Sequence, residues 1–250
     1  WMLLSYKKEM SASTCTDGHA PQLAANENAQ NWWQASSSDR KEWLMMDLGK
    51  AMDVHAIQIN FADDEIHIPV PGQIRGTTQA RYIEEADLVT RYLLEGSVDG
   101  EKFFVLEDKT KADTDLSHDF LVYENGMEVR YIRLSDMKVP YGQKPCISGL
   151  RVFGKGAGSL PEQASYKAAR ISGIDMEIVI DSQEKDEADG TTGYNILWGL
   201  KPDKLYHSYL AYDTKKRIGA LVDGESYYVR VDTFNENGIT EGKLQFVENL

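Results

Sequence analysis

The sequence predicts an all-β protein made of two sandwiches, and three observations carry that expectation. Apolar residues alternate with period two, short apolar runs are separated by turn-forming residues, and one stretch rich in glycine divides the chain. In residues 43–48, Leu44, Met46 and Leu48 fall on one face while Trp43, Met45 and Asp47 fall on the other. The pattern recurs over 54–61 with Ile57, Ile59 and Phe61. The stretch RYLLEGSVDGEKFFVLED places apolar runs on both sides of Asp99 and Gly100, a dipeptide that supplies the positive φ angles of a tight hairpin. Further strands are expected near 119–123, 129–134 and 147–153. The second half offers runs near 176–180, 193–198, 208–212, 218–222, 227–234 and 242–246, a spacing that suits a small immunoglobulin-like sandwich. There Leu221 precedes Tyr227 by six positions, as a tyrosine corner requires, with the phenol bonding back to the upstream backbone. The division falls in GKGAGSLP, which begins at Gly154 and reads as a linker, so the expected domains are 1–157 and 158–250.

Composition bounds the function. A chain of 250 residues with 42% hydrophobic residues is globular and long enough for two domains. A formal net charge of -13 and a pI near 4.8 argue against nucleic acid, whose binding rests on Lys and Arg neutralising phosphates, and against an anionic membrane surface. Membrane insertion is not expected, since no long apolar span occurs, and the opening WMLLSYKKEM reverses the order of a signal peptide. A chain starting at Trp1 is expected to be part of a longer protein. Cys15 and Cys146 lack the spacing of a zinc site; either they pair, as an oxidising compartment would allow, or both are free thiols. No Ser/His/Asp order, phosphate loop or HExxH motif is present. The runs Asp63-Asp64-Glu65 and Glu84-Glu85-Asp87 read as solvated acidic faces, not as the spaced carboxylate pair of a glycosidase, so no catalytic site is expected.

Five segments in order, NENAQNWWQA, EWLMMDLGKAMDVHAIQI, YLLEGSVDGEKFFVL, VRYIRLSDM and ISGLRVFGKG, resemble the discoidin or coagulation-factor type C domain, the fold shared with family 32 carbohydrate-binding modules. The resemblance spans about residues 5–155 and implies a galactose-binding-like jelly-roll β-sandwich. GYNILWG, the Leu221 to Tyr227 spacing and VDTFNENG resemble a fibronectin type III domain, with Trp198 on the third strand instead of the second. The pair in this order, with its GHAP and RVFGKG spellings, is similar to the C-terminal accessory region of gut-bacterial family 43 glycoside hydrolases, commonly β-xylosidases or α-arabinofuranosidases. That resemblance implies a plant or host glycan as ligand, an N-terminal catalytic domain in the same chain as partner, and a secreted, periplasmic or cell-surface location. It also leaves an alternative in which the first module packs on the catalytic domain and shapes its active site without binding sugar.

The resemblance further implies a turn that holds a structural Ca2+ through oxygen ligands. Asn26 stands where the family has Asp, Asn28 matches its Asn, Asn31 stands where Thr is common, and Gly149 takes the place of its Glu; Glu27 is a candidate replacement carboxylate. The other reading is a loop held by Asn hydrogen bonds. Sugar binding asks for an aromatic face and planar hydrogen-bonding groups in a concave site. The family places these on loops at one end of the sandwich. The candidates are Asp17 and His19 after the first strand, Asp63, Asp64, His67, Arg75 and Tyr82 on the long irregular connection, and Tyr141, Gln143 and Lys144 in VPYGQKP. Trp33 is expected in the core and Trp32 beside the Asn turn.

Overall fold

The computed structural model describes residues 1–64, 66, 88–181 and 190–250. The chain is all-β. Among the described residues sixteen strands are joined by loops and two short 3-10 turns, Pro21–Ala25 and Pro140–Gly142. It divides into two compact units, Leu3–Gly154 and Lys155–Leu250, the second counting Trp1–Met2 with it.

In the first unit the strands are β1 (Met2–Leu3), β2 (Glu9–Ala12), β3 (Trp33–Gln34), β4 (Leu44–Phe61), β5 (Arg91–Ser97), β6 (Phe104–Asp108), β7 (His118–Lys138) and β8 (Cys146–Lys155). They are ordered β1-β8-β4-β7-β5-β6, with β2 on β4 and β3 on β8. Two pairs of expected strands are thus single long ones: 43–48 and 54–61 merge into β4, and 119–123 and 129–134 merge into β7. Bulges make this possible. The β4–β7 register slips between Asp47 and Met52 and again between Val54 and Ala56, so the buried parity changes from Leu44, Met46, Leu48, Met52 and Val54 to Ile57 and Ile59. Gly126 sits at the second slip with φ +68, and a Cβ there would lie 2.1 Å from Asp53 Oδ1. A side chain there would have to displace Asp53 and His55 and hold a left-handed φ. The expected tight hairpin at Asp99-Gly100 is wider than two residues, since β5 ends at Ser97 and β6 begins at Phe104. The Asp99 carboxylate accepts the N–H groups of Glu101 and Lys102, which organises the longer turn.

Trp33 is fully buried, with its indole N–H donated to the Thr14 carbonyl at 2.9 Å. Its strand partner is Ile147 of β8, which is also fully buried. Glu42 fixes the loop between β3 and β4: it accepts hydroxyl bonds from Ser13, Thr14 (2.8 Å) and Ser37 (2.7 Å). Burial alone would raise its carboxyl, but these three hydroxyls outweigh burial and hold it below the ordinary value. Asp47 on β4 takes a two-pronged bond from Arg130 on β7, at 2.8 and 2.9 Å, and that guanidinium holds its carboxyl low.

The second unit contains β9 (Tyr166–Ser172), β10 (Asp175–Ile180), β11 (Gly193–Gly199), β12 (His207–Ala211), β13 (Lys215–Ile218), β14 (Tyr227–Asn235), β15 (Gly238–Thr240) and β16 (Gln245–Val247). One sheet runs β13-β10-β9 and the other β12-β11-β14-β15, with β16 on β14. Their facing residues, among them Ile178, Ile196, Val229 and Val231, form one apolar core against which Trp198 packs. The expected strand at 218–222 ends instead at Ile218, because Leu221 and Val222 turn back toward residues 174 and 227. The Leu221 N–H bonds to the Ile174 carbonyl, and the Val222 N–H donates to the Tyr227 phenol oxygen at 3.0 Å. Tyr166 crosses the same core to donate to the Val229 carbonyl, and burial pushes its phenol up to about 12. Neither β9 nor β15 was expected, since YKAARIS and GIT offer little apolar alternation.

Trp33→Ala is expected to cost about 3–5 kcal/mol by removing a buried indole, and Trp32→Ala much less; urea denaturation of the two variants measures the difference. The carboxyls of Glu42, Asp47 and Asp175 are all held below their ordinary values in the folded state. Their stabilisation is therefore full above the unfolded carboxylate range, about 4, and is lost as pH falls through the lower folded values. Denaturation midpoints should fall steadily between about pH 5 and pH 3, and less in Asp47→Asn.

Candidate functional site

Backbone pairing brings three loops of the first unit to one place. On β3, Gln34 lies opposite Cys146 of β8. The Ala35 N–H bonds to the Pro145 carbonyl, and the Ala62 N–H, just beyond β4, bonds to the Cys146 carbonyl at 2.9 Å. The loop after β2 is tied to the same strand, since the Thr16 N–H and the Gln34 N–H bond to the carbonyls of Gln34 and His19. Between β7 and β8 the chain turns through Pro140, Tyr141 and Gly142. Pro140 opens the turn, and Tyr141 and Gly142 follow with φ of 60° and 63°. Two left-handed residues in succession reverse the chain and put Gln143 and Lys144 beside residues 63 and 64. A left-handed φ at Tyr141, a non-glycine residue, is strain of the kind that concentrates at binding sites.

At this meeting point Gln34 is buried, and its amide N–H groups donate to Asp64 (2.8 Å) and toward the Cys146 sulfur (3.4 Å) while its oxygen accepts from the Thr16 hydroxyl. His19 stands 4.0 Å from the same Asp64 oxygen. Its Nδ1 lies 3.1 Å from the Trp32 carbonyl, which can only accept, so Nδ1 carries a hydrogen there. The ring also lies against Trp32, with centroids 5.2 Å apart. On the other side Gln143 donates to Asp63 at 2.9 Å. That bridge separates two hollows. The wider, about 420 Å³, is lined by Gln34, Ser37, Ser38, Asp64, Gln143 and Lys144. The narrower, about 80 Å³, is lined by Phe61, Asp63, Thr90, Asp115, Tyr141 and Gln143 among others. The lining groups are planar amides, carboxylates, hydroxyls and one ammonium, which together can bracket a polyhydroxylated ligand; the aromatic members, Phe61 and Tyr141, line the narrower hollow.

Of the expected sugar-site residues, His19, Asp63, Asp64, Tyr141, Gln143 and Lys144 therefore converge. Asp17 is exposed and lines neither hollow. His67, Arg75 and Tyr82 lie outside the described residues. Asp63 is exposed and Asp64 half-buried, and each accepts a bond from a glutamine amide. Gln34, Ser37, Ser38, Thr90 and Asp115 were not expected. Gln34 follows the core tryptophan directly, and only the β3–β8 pairing shows that its side chain reaches Asp64.

The turn expected to hold Ca2+ is built differently. The Asn26 oxygen accepts the Asn28 N–H, the Asn31 oxygen accepts the Asn26 amide, and the Asn28 oxygen accepts the Gln30 N–H. The one carboxylate, Glu27, is bonded to the Arg151 guanidinium at 2.7 and 3.0 Å, and Gly149 brings no side chain. A divalent cation needs six to eight oxygens, and here a fixed positive charge already sits on the one anionic ligand. The residues do not fit the ion. Among the described residues no three His, Cys, Asp or Glu side chains are grouped to hold a metal. Both cysteines are free, Cys15 exposed and Cys146 buried. Among the described residues no helix is long and apolar enough to cross a membrane.

No protein-family model matches this sequence, and no curated protein matches it. Solved structures similar to it include carbohydrate-binding modules of bacterial glycoside hydrolases. Chitosan-binding module 1 of a chitosanase/glucanase from Paenibacillus sp. IK-5 is 16% identical, with a TM-score of 0.45 over 62% of this chain and 100% of that one. Module 2 of the same enzyme, solved with chitotriose, is 16% identical, with a TM-score of 0.45 over 60% of this chain and 99% of that one. CpGH89CBM32-6 from Clostridium perfringens is 16% identical, with a TM-score of 0.44 over 61% of this chain and 99% of that one.

Burial pushes the Cys146 thiol up to about 11, with Asp64 and Asp63 adding to the shift and the bond from Gln34 opposing it. Since the thiolate is the reactive form, a thiol reagent at pH 8 should label Cys15 alone in the native protein and both cysteines after denaturation. Mass spectrometry counts the adducts.

Proposed function

We propose that this chain is a non-catalytic carbohydrate-binding accessory region of a glycoside hydrolase. The observation that carries the reading is the convergence of Gln34, Asp64, Gln143 and Lys144, from three separate segments, on one hollow of the first unit, with His19 of a fourth segment beside Asp64. Planar amides and carboxylates on a rigid β frame suit ring hydroxyls, which both donate and accept. Residues 1–157 form the binding module in this reading, and residues 158–250 a fibronectin type III-like spacer. The parent enzyme is of the β-xylosidase or α-arabinofuranosidase type and acts on plant or host glycan from a secreted, periplasmic or cell-surface position; the five motifs and the GHAP and RVFGKG spellings support this. The module holds the enzyme on its polymer and raises the effective concentration of substrate at the catalytic domain.

A second reading has support of its own. On the outer face of the first unit, Phe120 and Val122 on β7 are half exposed, and Phe120 lies beside Phe153 of β8 with ring centroids 6.3 Å apart. Such a patch fits packing on the catalytic domain, without sugar binding.

Calorimetric titration of this chain with xylan, arabinan and galactose-bearing oligosaccharides separates the two. Under the first reading one class binds, and Asp64→Ala or Gln143→Ala weakens it about tenfold or more by removing a hydrogen bond to a charged or amide group. Heat with no glycan, together with loss of catalytic-domain association in Phe120→Asp, establishes the second.

A further inference from the structure

We infer that Arg151 is the resident cation of the 26–31 turn and does there what a divalent ion does in turns of the resembled kind. Its guanidinium joins three separate elements. Nε and Nη2 grip both oxygens of Glu27, and Nη1 donates to the Gln58 oxygen on β4 at 3.1 Å, all from a position on β8. The ring of Phe153, two residues along the same strand face, lies 5.1 Å from the guanidinium carbon. A planar fork that matches a carboxylate in two bonds fixes direction as well as distance, which a lysine ammonium does not.

The turn needs such a hold. Glu27 has φ 60°, a left-handed conformation unfavourable for a side chain with a Cβ, so it persists only where its surroundings enforce it. The asparagine bonds close the loop on itself but do not tie it to the sheet; the Glu27 to Arg151 bridge does. The space beside the bridge is a hollow of about 210 Å³ between Glu27, Asn60, Ser148, Gly149 and Arg151. A Cβ at Gly149 would come within 2.9 Å of the Asn60 amide nitrogen, so a side chain at the position where the resembled family carries its carboxylate would have to displace Asn60 of β4. The lost carboxylate and the gained guanidinium are two halves of one exchange. The turn leads directly to Trp32, whose carbonyl accepts from His19.

The test compares thermal unfolding and amide hydrogen exchange of the full chain in excess Ca2+ and in EDTA. The midpoint of the unaltered protein is expected to be the same in both. Arg151→Ala should speed exchange at Asn28, Gln30 and Asn31 by roughly tenfold or more through local opening, leaving the β4 and β7 amides protected. The charge exchange Glu27→Arg with Arg151→Glu should restore protection in the turn, a rescue that mere loss of packing does not predict. If Arg151→Ala does not fold, Glu27→Gln, which keeps the shape and removes the charge, carries the same expectation. A midpoint that drops in EDTA and recovers with Ca2+, or turn exchange unaltered in these variants, overturns the inference.

Discussion

The first unit depends on the burial of one indole. Trp33 sits on a strand of two residues, too short to hold itself by backbone bonds alone, and it stays there because its ring is enclosed in the core and its N–H reaches Thr14. Moving a large aromatic side chain out of water contributes more than the two backbone pairs. Once the ring is seated, Gln34 is set opposite Cys146, the loop after β2 is tied to β3, and residues 62–64 are tied to the start of β8. The polar hollow is a consequence of that seating.

A division of labour between adjacent residues follows. Trp33 faces inward and makes the fold; Gln34 is on the opposite side of the strand and orders Asp64. Trp32, half buried, supplies the carbonyl that accepts from His19 Nδ1. Across the hollow, Gln143 orders Asp63 in the same way that Gln34 orders Asp64. Each carboxylate is thus presented in a fixed direction by an amide donor. Such preorganisation reduces the ordering cost that a weak, hydroxyl-rich ligand would otherwise meet.

Much of this was legible in the sequence, and the limits are physical. Alternation places the faces of β4 because a half-buried strand must alternate, and the strand that follows NWWQA gives Trp33 a core to pack against. The merging of strands into β4 and β7 was not legible, because a bulge conserves local alternation on each side and only shifts its parity. The wide turn after Ser97 was missed because Asp99 and Gly100 satisfy the rule for a tight hairpin, while the Asp99 carboxylate in fact caps a longer one. Loop candidates were found by residue type, and His19, Asp64 and Gln143 do converge. Gln34 was invisible because its role comes from a pairing with a strand more than a hundred residues away. The 26–31 turn was read as a choice between calcium and asparagine bonds; Arg151 lay outside both alternatives, since nothing near the turn in sequence announces it.

The central claim is that the hollow beside Gln34 is where a glycan sits, and amide chemical shifts recorded while an oligosaccharide is added test it most directly. The account predicts saturable shifts confined to His19, Gln34, Ser37, Asp64, Gln143 and Lys144 and their immediate neighbours. Shifts centred instead on Phe120, Val122 and Phe153, or on the second unit, would contradict it.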